Sequence, residues 1–297
     1  MKKPRLSTFI PTRVARFQDY GTRIREIELA LPEKAQVTPA ILLPKSHEHL
    51  YLKNLPVIQT HRPGNSFLAK PFGIATSRHE NRLYTVSDCS NPYKLATVID
   101  RTKNNPNTSD WWLSDRISNK TIVYCKAELN LDNQCFIVHE HRTKEDASVE
   151  LYPDGEWEKL RVVAVGLSTG MTPFLAHIKY FEQRKFGQTE EICGIEYTFI
   201  MSVQHPEELV WYNWLRAIAK NHALNFTFHP MLTQSWPEKW PENQRKRITA
   251  SRIAALVPDL HECELWYCGG SAGMEGLKKG LADEHLSVRR FRAETFD

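Results

Sequence analysis

Apolar and polar positions change their period part-way along this chain of 297 residues. Ahead of Tyr152-Pro153-Asp154-Gly155 the apolar residues come in short alternating or β-branched runs: Arg23 to Leu29, Phe72-Gly73-Ile74, Arg82 to Ser87, Lys94 to Asp100, Thr121 to Cys125 and Phe136 to Val138. A period of two marks strands with one buried face. Breaks such as Arg62-Pro63-Gly64-Asn65 and Asn104-Asn105-Pro106-Asn107 separate the runs, so this half reads as an antiparallel barrel or sandwich. One short helix is expected after Ser109-Asp110, whose side-chain oxygens suit a cap ahead of Trp111-Trp112-Leu113.

Beyond Gly155, buried-strand runs alternate with segments of helical period. Arg161 to Val165 reads as a strand feeding a glycine turn, and Phe174, Ile178 and Phe181 then recur on one helix face. A strand from Tyr197 to Val203 precedes a helix carrying Trp211, Tyr212, Leu215, Ile218 and Ala219. Strands at Asn225 to His229, Glu264 to Cys268 and Val288 to Glu294, with helices at Ala250 to Leu256 and Met274 to Leu281, complete the series. Such alternation specifies a doubly wound parallel sheet with helices on both faces. Two domains are therefore expected, over residues 1–155 and 156–297. Ligands of such sheets bind at the carboxyl ends of the strands, so chemistry is sought there.

Composition narrows the class. Hydrophobic residues make up 41% and charged residues 25%, with 13 Gly and 17 Pro, which excludes fibrous and low-complexity chains. Mean hydropathy is −0.48 and no apolar run approaches the roughly 18 residues of a membrane span, so no membrane span is expected. Met1-Lys2-Lys3-Pro4-Arg5 is followed by no apolar stretch, because Thr8, Pro11, Thr12, Arg13 and Arg16 interrupt it. A cytoplasmic protein is expected. The cysteines (Cys89, Cys125, Cys135, Cys193, Cys263, Cys268) have neither zinc nor iron–sulfur spacing, so no metal site is expected. Redox chemistry would then need an organic cofactor or single thiols.

Charge is unevenly placed. Residues 1–150 hold 22 Lys/Arg against 16 Asp/Glu, and residues 151–297 hold 17 against 19. Lys2, Lys3, Arg5, Arg13, Arg16, Arg23 and Arg25 face a single early acid, Asp19, an excess that suits an acidic partner or phosphorylated cofactor as well as a merely solvated terminus. No interleaved basic and aromatic stripe points to nucleic acid.

Three stretches offer chemistry. Gly166-Leu167-Ser168-Thr169-Gly170-Met171-Thr172-Pro173-Phe174 lies where the first strand of the second half meets its first helix, with Pro173 suited to the first helical turn. A helix N-terminus there has free N–H groups for a phosphate, although a tight connection alone is also compatible. The string fits neither the Walker loop nor Gly-x-Gly-x-x-Gly. It does fit Gly-x-Ser-x-Gly, but the sequence identifies neither an oxyanion hole nor a histidine partner of a serine hydrolase, and the residues around it match nucleotide binding better. Cys268-Gly269-Gly270-Ser271-Ala272-Gly273-Met274 repeats the design after a later strand, and Cys268 reads equally as a buried small hydrophobe. Arg82-Leu83-Tyr84-Thr85 places an arginine able to clamp a pyrophosphate two residues from a ring able to stack on a heterocycle.

In this order, and followed by Glu294-Thr295-Phe296, these stretches resemble the ferredoxin–NADP reductase superfamily over roughly residues 15 to 297. Ser202-Val203-Gln204-His205-Pro206-Glu207-Glu208-Leu209 adds to the likeness. The resemblance implies an antiparallel β-barrel FAD-binding domain followed by an α/β NAD(P)-binding domain. It implies that Arg82, with Leu83 beside it, holds the FAD pyrophosphate, Tyr84 stacks on the isoalloxazine and Thr85 offers a hydroxyl near flavin N5. Thr108, Ser109, Trp111 and Trp112 would take the second FAD-phosphate position and the adenine end. Gly166, Thr169, Gly170 and Pro173 would meet the coenzyme pyrophosphate, and Cys268, Gly269 and Met274 would border the nicotinamide. Glu294 would lie close to Thr85 and Cys268 and assist proton or hydride movement, with Phe296 covering the flavin face.

Three departures stand out. Asn107 occupies a position where the family usually has glycine, which leaves FAD against FMN open. Asp297 follows Phe296 at the end of the chain. Leu232-Thr233-Gln234-Ser235 lacks the arginine of NADP-selective members, while Arg245, Lys246 and Arg247 follow and suit either a 2′-phosphate or a solvated turn, so NADH against NADPH stays open. The implied activity is hydride transfer from NAD(P)H to FAD and single-electron delivery to a separate acidic carrier: a ferredoxin, a flavodoxin or an oxygenase component. A flavin or quinone reductase, and a flavin-fold subunit without catalysis, are the alternatives; the oligomeric state is left open.

Overall fold

The computed structural model describes residues 10–31, 37–39, 58–61, 63–71, 82–91, 93–102, 108–128, 136, 138–139, 149–150, 159–188, 194–221 and 223–296. Two compact units divide the chain, Met1–Asp132 and Asn133–Asp297.

The first unit carries β1 (Ile10–Tyr20), β2 (Ile24–Ala30), β3 (Val37–Pro39), β4 (Ile58–His61), β5 (Ser66–Pro71), β6 (Arg82–Thr85), β7 (Lys94–Asp100), the helix α1 (Ser109–Asp115) and β8 (Ile122–Glu128). Six of these form one antiparallel sheet in the order β6-β5-β8-β1-β2-β7, and β3 pairs with β4. Val14, Ile24, Ile27, Leu29, Phe67, Ala69, Leu95, Val98 and Val123 are buried, but β2 and β7 bury residues of both parities, Arg25, Glu26 and Thr97 included, so burial here does not follow a strict period of two. Just beyond β6, the Ser87 N–H donates to the Ala96 carbonyl at 2.9 Å, and Thr97 Oγ1 donates to the Thr85 carbonyl at 2.7 Å. These bonds link the sheet's two edge strands at one end. The expected barrel is thus observed as a six-stranded antiparallel sheet, without continuous pairing of β6 with β7 among the described residues. Phe72-Gly73-Ile74 lies outside the described residues.

The second unit adds β9 (Val138–His139) and β10 (Val149–Glu150), a short parallel pair, and then β11 (Leu160–Leu167), α2 (Thr172–Gln183), β12 (Ile195–Val203), α3 (Tyr212–Lys220), β13 (Phe226–Leu232), α4 (Ala250–Leu256), β14 (Glu264–Gly269), α5 (Ser271–Asp283) and β15 (Arg290–Thr295). Five parallel strands run in the order β13-β12-β11-β14-β15. The order reverses between β11 and β14, which makes the ends of those strands the switch point.

Side-chain alternation assigns the helices to faces. Val163, Val165, Leu265 and Tyr267 pack with Ala250, Ile253, Leu277 and Leu281 of α4 and α5. Ring contacts on the other face join Phe174 and His177 of α2 to Phe199, Tyr197 and Trp266, and Tyr212 of α3 to Phe228. Both faces are therefore covered, and the doubly wound expectation holds. Among the described residues, no helix is long and apolar enough to cross a membrane.

Two local readings shift. α1 is capped at Thr108, with no side-chain cap bond, and Ser109 and Asp110 lie inside its first turn. Their oxygens are engaged elsewhere, as described below. α5 begins at Ser271 rather than Met274, because Gly270 in an extended conformation serves as its N-cap and the helix starts directly off β14.

Candidate functional site

At the switch point the turn after β11 folds back on the end of β14. Gly166 pairs with Cys268 in the parallel register, and Ser168–Met171 forms a 3-10 turn leading into α2, whose second residue is Pro173. A Cβ on Gly170 would lie 2.0 Å from the Cys268 carbonyl oxygen and 2.5 Å from its carbon, while one on Gly166 would lie 2.7 Å from Met171 Cα. Both glycines are thus required by protein packing, whatever the loop binds. Between them, Ser168 adopts φ 53°, a left-handed conformation for a residue with a Cβ, and its buried Oγ has no hydrogen-bond partner. Thr169 is half-buried; its carbonyl accepts from Thr172 Oγ1 at 2.5 Å.

The neighbouring strand ends bring further expected residues together. Cys268 stands opposite Glu294, and Gly269 opposite Thr295; the Phe296 N–H donates to the Gly269 carbonyl at 3.2 Å. Cys268 is 3% exposed and Phe296 is 36% exposed. Glu294 Oε1 accepts the Phe136 N–H at 3.1 Å. Gly269 and Gly273 are crowded by Tyr267, whose hydroxyl donates to the Gly270 carbonyl at 2.7 Å, and a Cβ on Gly270 would meet nothing. Met274 is half-buried and packs on the α4–α5 core.

In the first unit, β6 is tied to the start of α1. Tyr84 Oη donates to Asp110 Oδ1; its single proton being spent there, it accepts from Ser109 Oγ at 2.9 Å. Arg82 Nε lies 3.4 Å from Asp110 Oδ2. Burial, followed by the Asp110 carboxylate, pushes the Tyr84 phenol well above its ordinary range, so it stays neutral and donates. The resemblance implies a Tyr84 ring free to stack, but the ring is 7% exposed and packs 5.8 Å from Phe67, leaving little of its surface open. Leu83 is exposed, Thr85 Oγ1 accepts from Ser66 Oγ at 3.5 Å, and Thr108 and Ser109 are wholly buried. Arg116 lies over the rings of Trp111 and Trp112, and Trp112 Nε1 is a buried donor without an acceptor. Tyr84→Phe is expected to destabilise the first unit by about 1–2 kcal/mol, read as a lowered urea midpoint, because a hydrogen bond from a buried phenol to a partly buried carboxylate is lost.

Other expected residues separate from these. Gln234 and Arg247 are exposed, while the Arg245 guanidinium turns back to the carbonyls of Trp240 and Glu238 and so organises its own loop. The Arg245 guanidinium is thus engaged within its own loop. The early positive field is also smaller than its count suggests: Arg25 is buried, held by Asp19 and by the carbonyls of Leu113 and Ser114, and Arg23 pairs with Asp100. Lys2, Lys3 and Arg5 lie outside the described residues.

Three residues with a part in this geometry carry no signal in the chain: Asp110 as a tether, Phe136 and His177. His177 Nε2 lies 2.7 Å from the Phe136 carbonyl and Nδ1 lies 3.4 Å from Tyr197 Oη. A carbonyl only accepts, so Nε2 carries the proton and Nδ1 receives the tyrosine's.

No protein-family model and no curated protein sequence matches the chain. Solved structures do. The Amycolatopsis cytochrome P450 reductase GcoB superposes with a TM-score of 0.66 at 17% identity, over 97% of this chain and 70% of that one. The flavohem-like FAD/NAD-binding domain of nitric oxide dioxygenase from Vibrio cholerae O1 biovar El Tor gives 0.66 at 14%, over 98% and 99%. A ferredoxin NADP+ reductase from Neisseria gonorrhoeae, with bound FAD and NADP, gives 0.62 at 14%, over 97% and 99%. The chain has the ferredoxin–NADP reductase-like fold. Within a ferredoxin–NADP reductase-like second unit, the turn at Gly166–Met171 and the ends of β14 and β15 lie together at the carboxyl edge of the parallel sheet, the edge at which doubly wound sheets bind ligands.

Proposed function

We propose that the chain is a flavoprotein reductase that takes hydride from NAD(P)H on FAD and delivers electrons to a separate carrier. The observation that carries this reading is Glu294 standing opposite Cys268, beside the Gly170 turn, at the switch point of the parallel sheet. The described residues fit both cofactors: Trp112 Nε1 and Ser168 Oγ are buried polar atoms without partners, one at the first turn of α1 and one at the turn before α2. Arg82, Thr108, Ser109, Trp111 and Trp112 would hold the FAD phosphates and adenine end, with Tyr84 keeping Asp110 and hence Arg82 in place. Ser168, Thr169 and the N-terminus of α2 would hold the coenzyme pyrophosphate. Cys268 and Gly269 would shape the nicotinamide site, and Glu294 would hold or release a proton there. Bound flavin would supply two-electron acceptance and one-electron release, chemistry that no side chain here offers.

An acidic carrier, such as a ferredoxin, a flavodoxin or an oxygenase component, would suit the basic balance of residues 1–150. Structural neighbours that belong by name to oxygenase systems, the cytochrome P450 reductase GcoB and the ferredoxin reductase in carbazole 1,9a-dioxygenase, support this choice of partner.

The test is an anaerobic absorbance spectrum of purified protein before and after NADH, and separately NADPH. Flavin bands that bleach with one coenzyme are the expected result, and the coenzyme that bleaches them is the donor. Glu294→Gln is expected to retain the bands and slow bleaching by about 10²-fold, the range of a lost acid–base group. Protein that stays colourless after incubation with FAD would overturn the reading.

A further inference from the structure

The proposed function leaves unexplained why a histidine is placed in the aromatic interior between α2 and the sheet. His177 is fully buried, with the rings of Trp266, Phe174, Phe181, Phe136 and Tyr197 at centroid distances of 5.4, 6.0, 6.0, 6.4 and 6.5 Å. A phenylalanine would fill such a box without the cost of burying polar nitrogens. The histidine is used in two directions. Tyr197 Oη donates to Nδ1, which fixes the tautomer, and Nε2–H donates to the Phe136 carbonyl. Phe136 in turn presents its own N–H to Glu294 Oε1.

We propose that His177 is a positioning residue for Glu294: by holding the Phe136 backbone through its carbonyl, it aims the Phe136 N–H at the Glu294 carboxylate. This rests on the reading of Glu294 given above. The backbone of Phe136 is the mechanical link, since its N–H and C=O flank a single Cα. Its ring is wedged 5.1 Å from Phe174 and 5.9 Å from Trp266, so the residue has little room to turn. Burial forces His177 to stay neutral, which keeps Nδ1 an acceptor and the relay intact at ordinary pH. An N–H aimed at a carboxylate stabilises its charged form and holds the accepting oxygen in place. The consequence for Glu294 is a fixed rotamer, with its accepting oxygen held toward the Phe136 N–H.

The groups facing His177 from packed elements are Tyr197 on β12, Trp266 on β14, Phe174 and Phe181 on α2, and Phe136. Tyr197 is the one titratable group among them, and burial raises its phenol well above the ordinary range, so it is not the source of a shift near neutrality. Glu264, whose Oε2 accepts from Trp266 Nε1 at 2.9 Å, is held by Arg292 and lies beyond that ring.

The test follows the Phe136 amide in the full-length protein labelled with 15N-phenylalanine, assigned by its loss in Phe136→Leu. Its proton shift is titrated with pH in wild type and in His177→Phe, His177→Gln and Tyr197→Phe. The wild-type amide is expected to follow a carboxylate titration that disappears in Glu294→Gln. In His177→Phe the midpoint is expected to rise by about 0.5–1 unit as the hydrogen bond loosens. Glutamine places an N–H near the position of Nε2, so His177→Gln is expected to titrate like wild type. Tyr197→Phe, which frees the tautomer, is expected to move part of the way and decides the matter if His177→Phe does not fold. An unchanged midpoint in the folded variants, or a shift in His177→Gln as large as in His177→Phe, overturns the proposal and leaves His177 as filler. Because the amide is read without coenzyme or turnover, the role of His177 is tested even in a chain that proves inactive or flavin-free, and its failure is distinguishable from failure of the proposed function.

Discussion

Gly170→Ala is expected to lower the melting temperature of the second unit by about 10 °C, while the same substitution at Gly276 is expected to raise it slightly. The difference lies in what each new methyl meets. At Gly170 the Cβ would lie 2.0 Å from the Cys268 carbonyl oxygen and 3.0 Å from the Gly269 nitrogen, all backbone atoms that no rotamer change can move. The turn before α2 must then separate from the end of β14. Overpacking of this kind costs about 3 kcal/mol or more, and about 3 °C per kcal/mol is lost in a unit this size. Gly276 lies exposed in α5, where a Cβ meets nothing and alanine gains about 0.5–1 kcal/mol of helix propensity. Differential scanning calorimetry of the two variants checks both signs. A Gly170→Ala melt matching wild type would show that the two loops are not in contact in solution.

The same two loops mark a limit of reading this chain from its sequence. Gly166 and Gly170 announce a close approach, and a ligand's phosphate is the natural candidate for what approaches. The structure shows the end of β14, nearly a hundred residues later in the chain, against Gly170, and the turn's own Met171 against Gly166. Sequence spacing reports that room is needed and is silent on what occupies it. Local elements fared better, because their causes are local. Lys94–Asp100 and Ala250–Leu256 have the bounds the sequence implies, one from a short, largely apolar run between polar ends and one from a helical apolar face behind Thr249, whose hydroxyl accepts from the Arg252 N–H. The parallel strands read as Arg161 to Val165, Tyr197 to Val203 and Glu264 to Cys268 extend by one to three residues to Leu160–Leu167, Ile195–Val203 and Glu264–Gly269, and their largely apolar middles reflect burial on both faces.

Side chains with two competing uses were harder to read. Ser109 and Asp110 have the composition of a helix cap, yet the cap position falls to Thr108 and their oxygens turn to Tyr84. A neutral phenol buried beside them outcompetes the helix's own N–H groups, which needs knowledge of β6 to foresee. Arg25 has the look of a surface cation until β1 and α1 enclose it among Asp19, Leu113 and Ser114. Phe136 and His177 lie 41 positions apart and belong to no shared pattern, so their bond is invisible until α2 packs on the sheet.

His177 also governs the second large effect, a loss of stability in mild acid that is absent from His177→Gln. Burial depresses the imidazole from its ordinary 6.5 to about 4, partly opposed by the Phe136 carbonyl that accepts its proton. In the unfolded chain the same imidazole binds a proton at about 6.5. Between these values the unfolded state holds more protons than the folded one, so stability falls as pH is lowered from about 6.5 toward 4 and is fully present above that window. The loss is about 1.4 kcal/mol at pH 5.5 and about 2.6 kcal/mol at pH 4.5, tending to about 3.4 kcal/mol below the folded value. His229, half-buried on β13 and depressed by burial, adds in the same direction. Asp19, Glu196 and Asp259 are lowered by arginine and lysine partners, so their contributions are lost lower still, beneath the ordinary carboxylate range. The glutamine variant isolates the histidine contribution, because it keeps a donor toward Phe136 and cannot titrate. Urea midpoints of the second unit, followed by tryptophan fluorescence from pH 7.5 to 4.5, are expected to diverge between wild type and His177→Gln below pH 6.5, with the variant the flatter of the two. Parallel curves would mean that folding does not hold the imidazole neutral, and with it would fall the tautomer argument that joins Tyr197, His177 and Phe136 to Glu294.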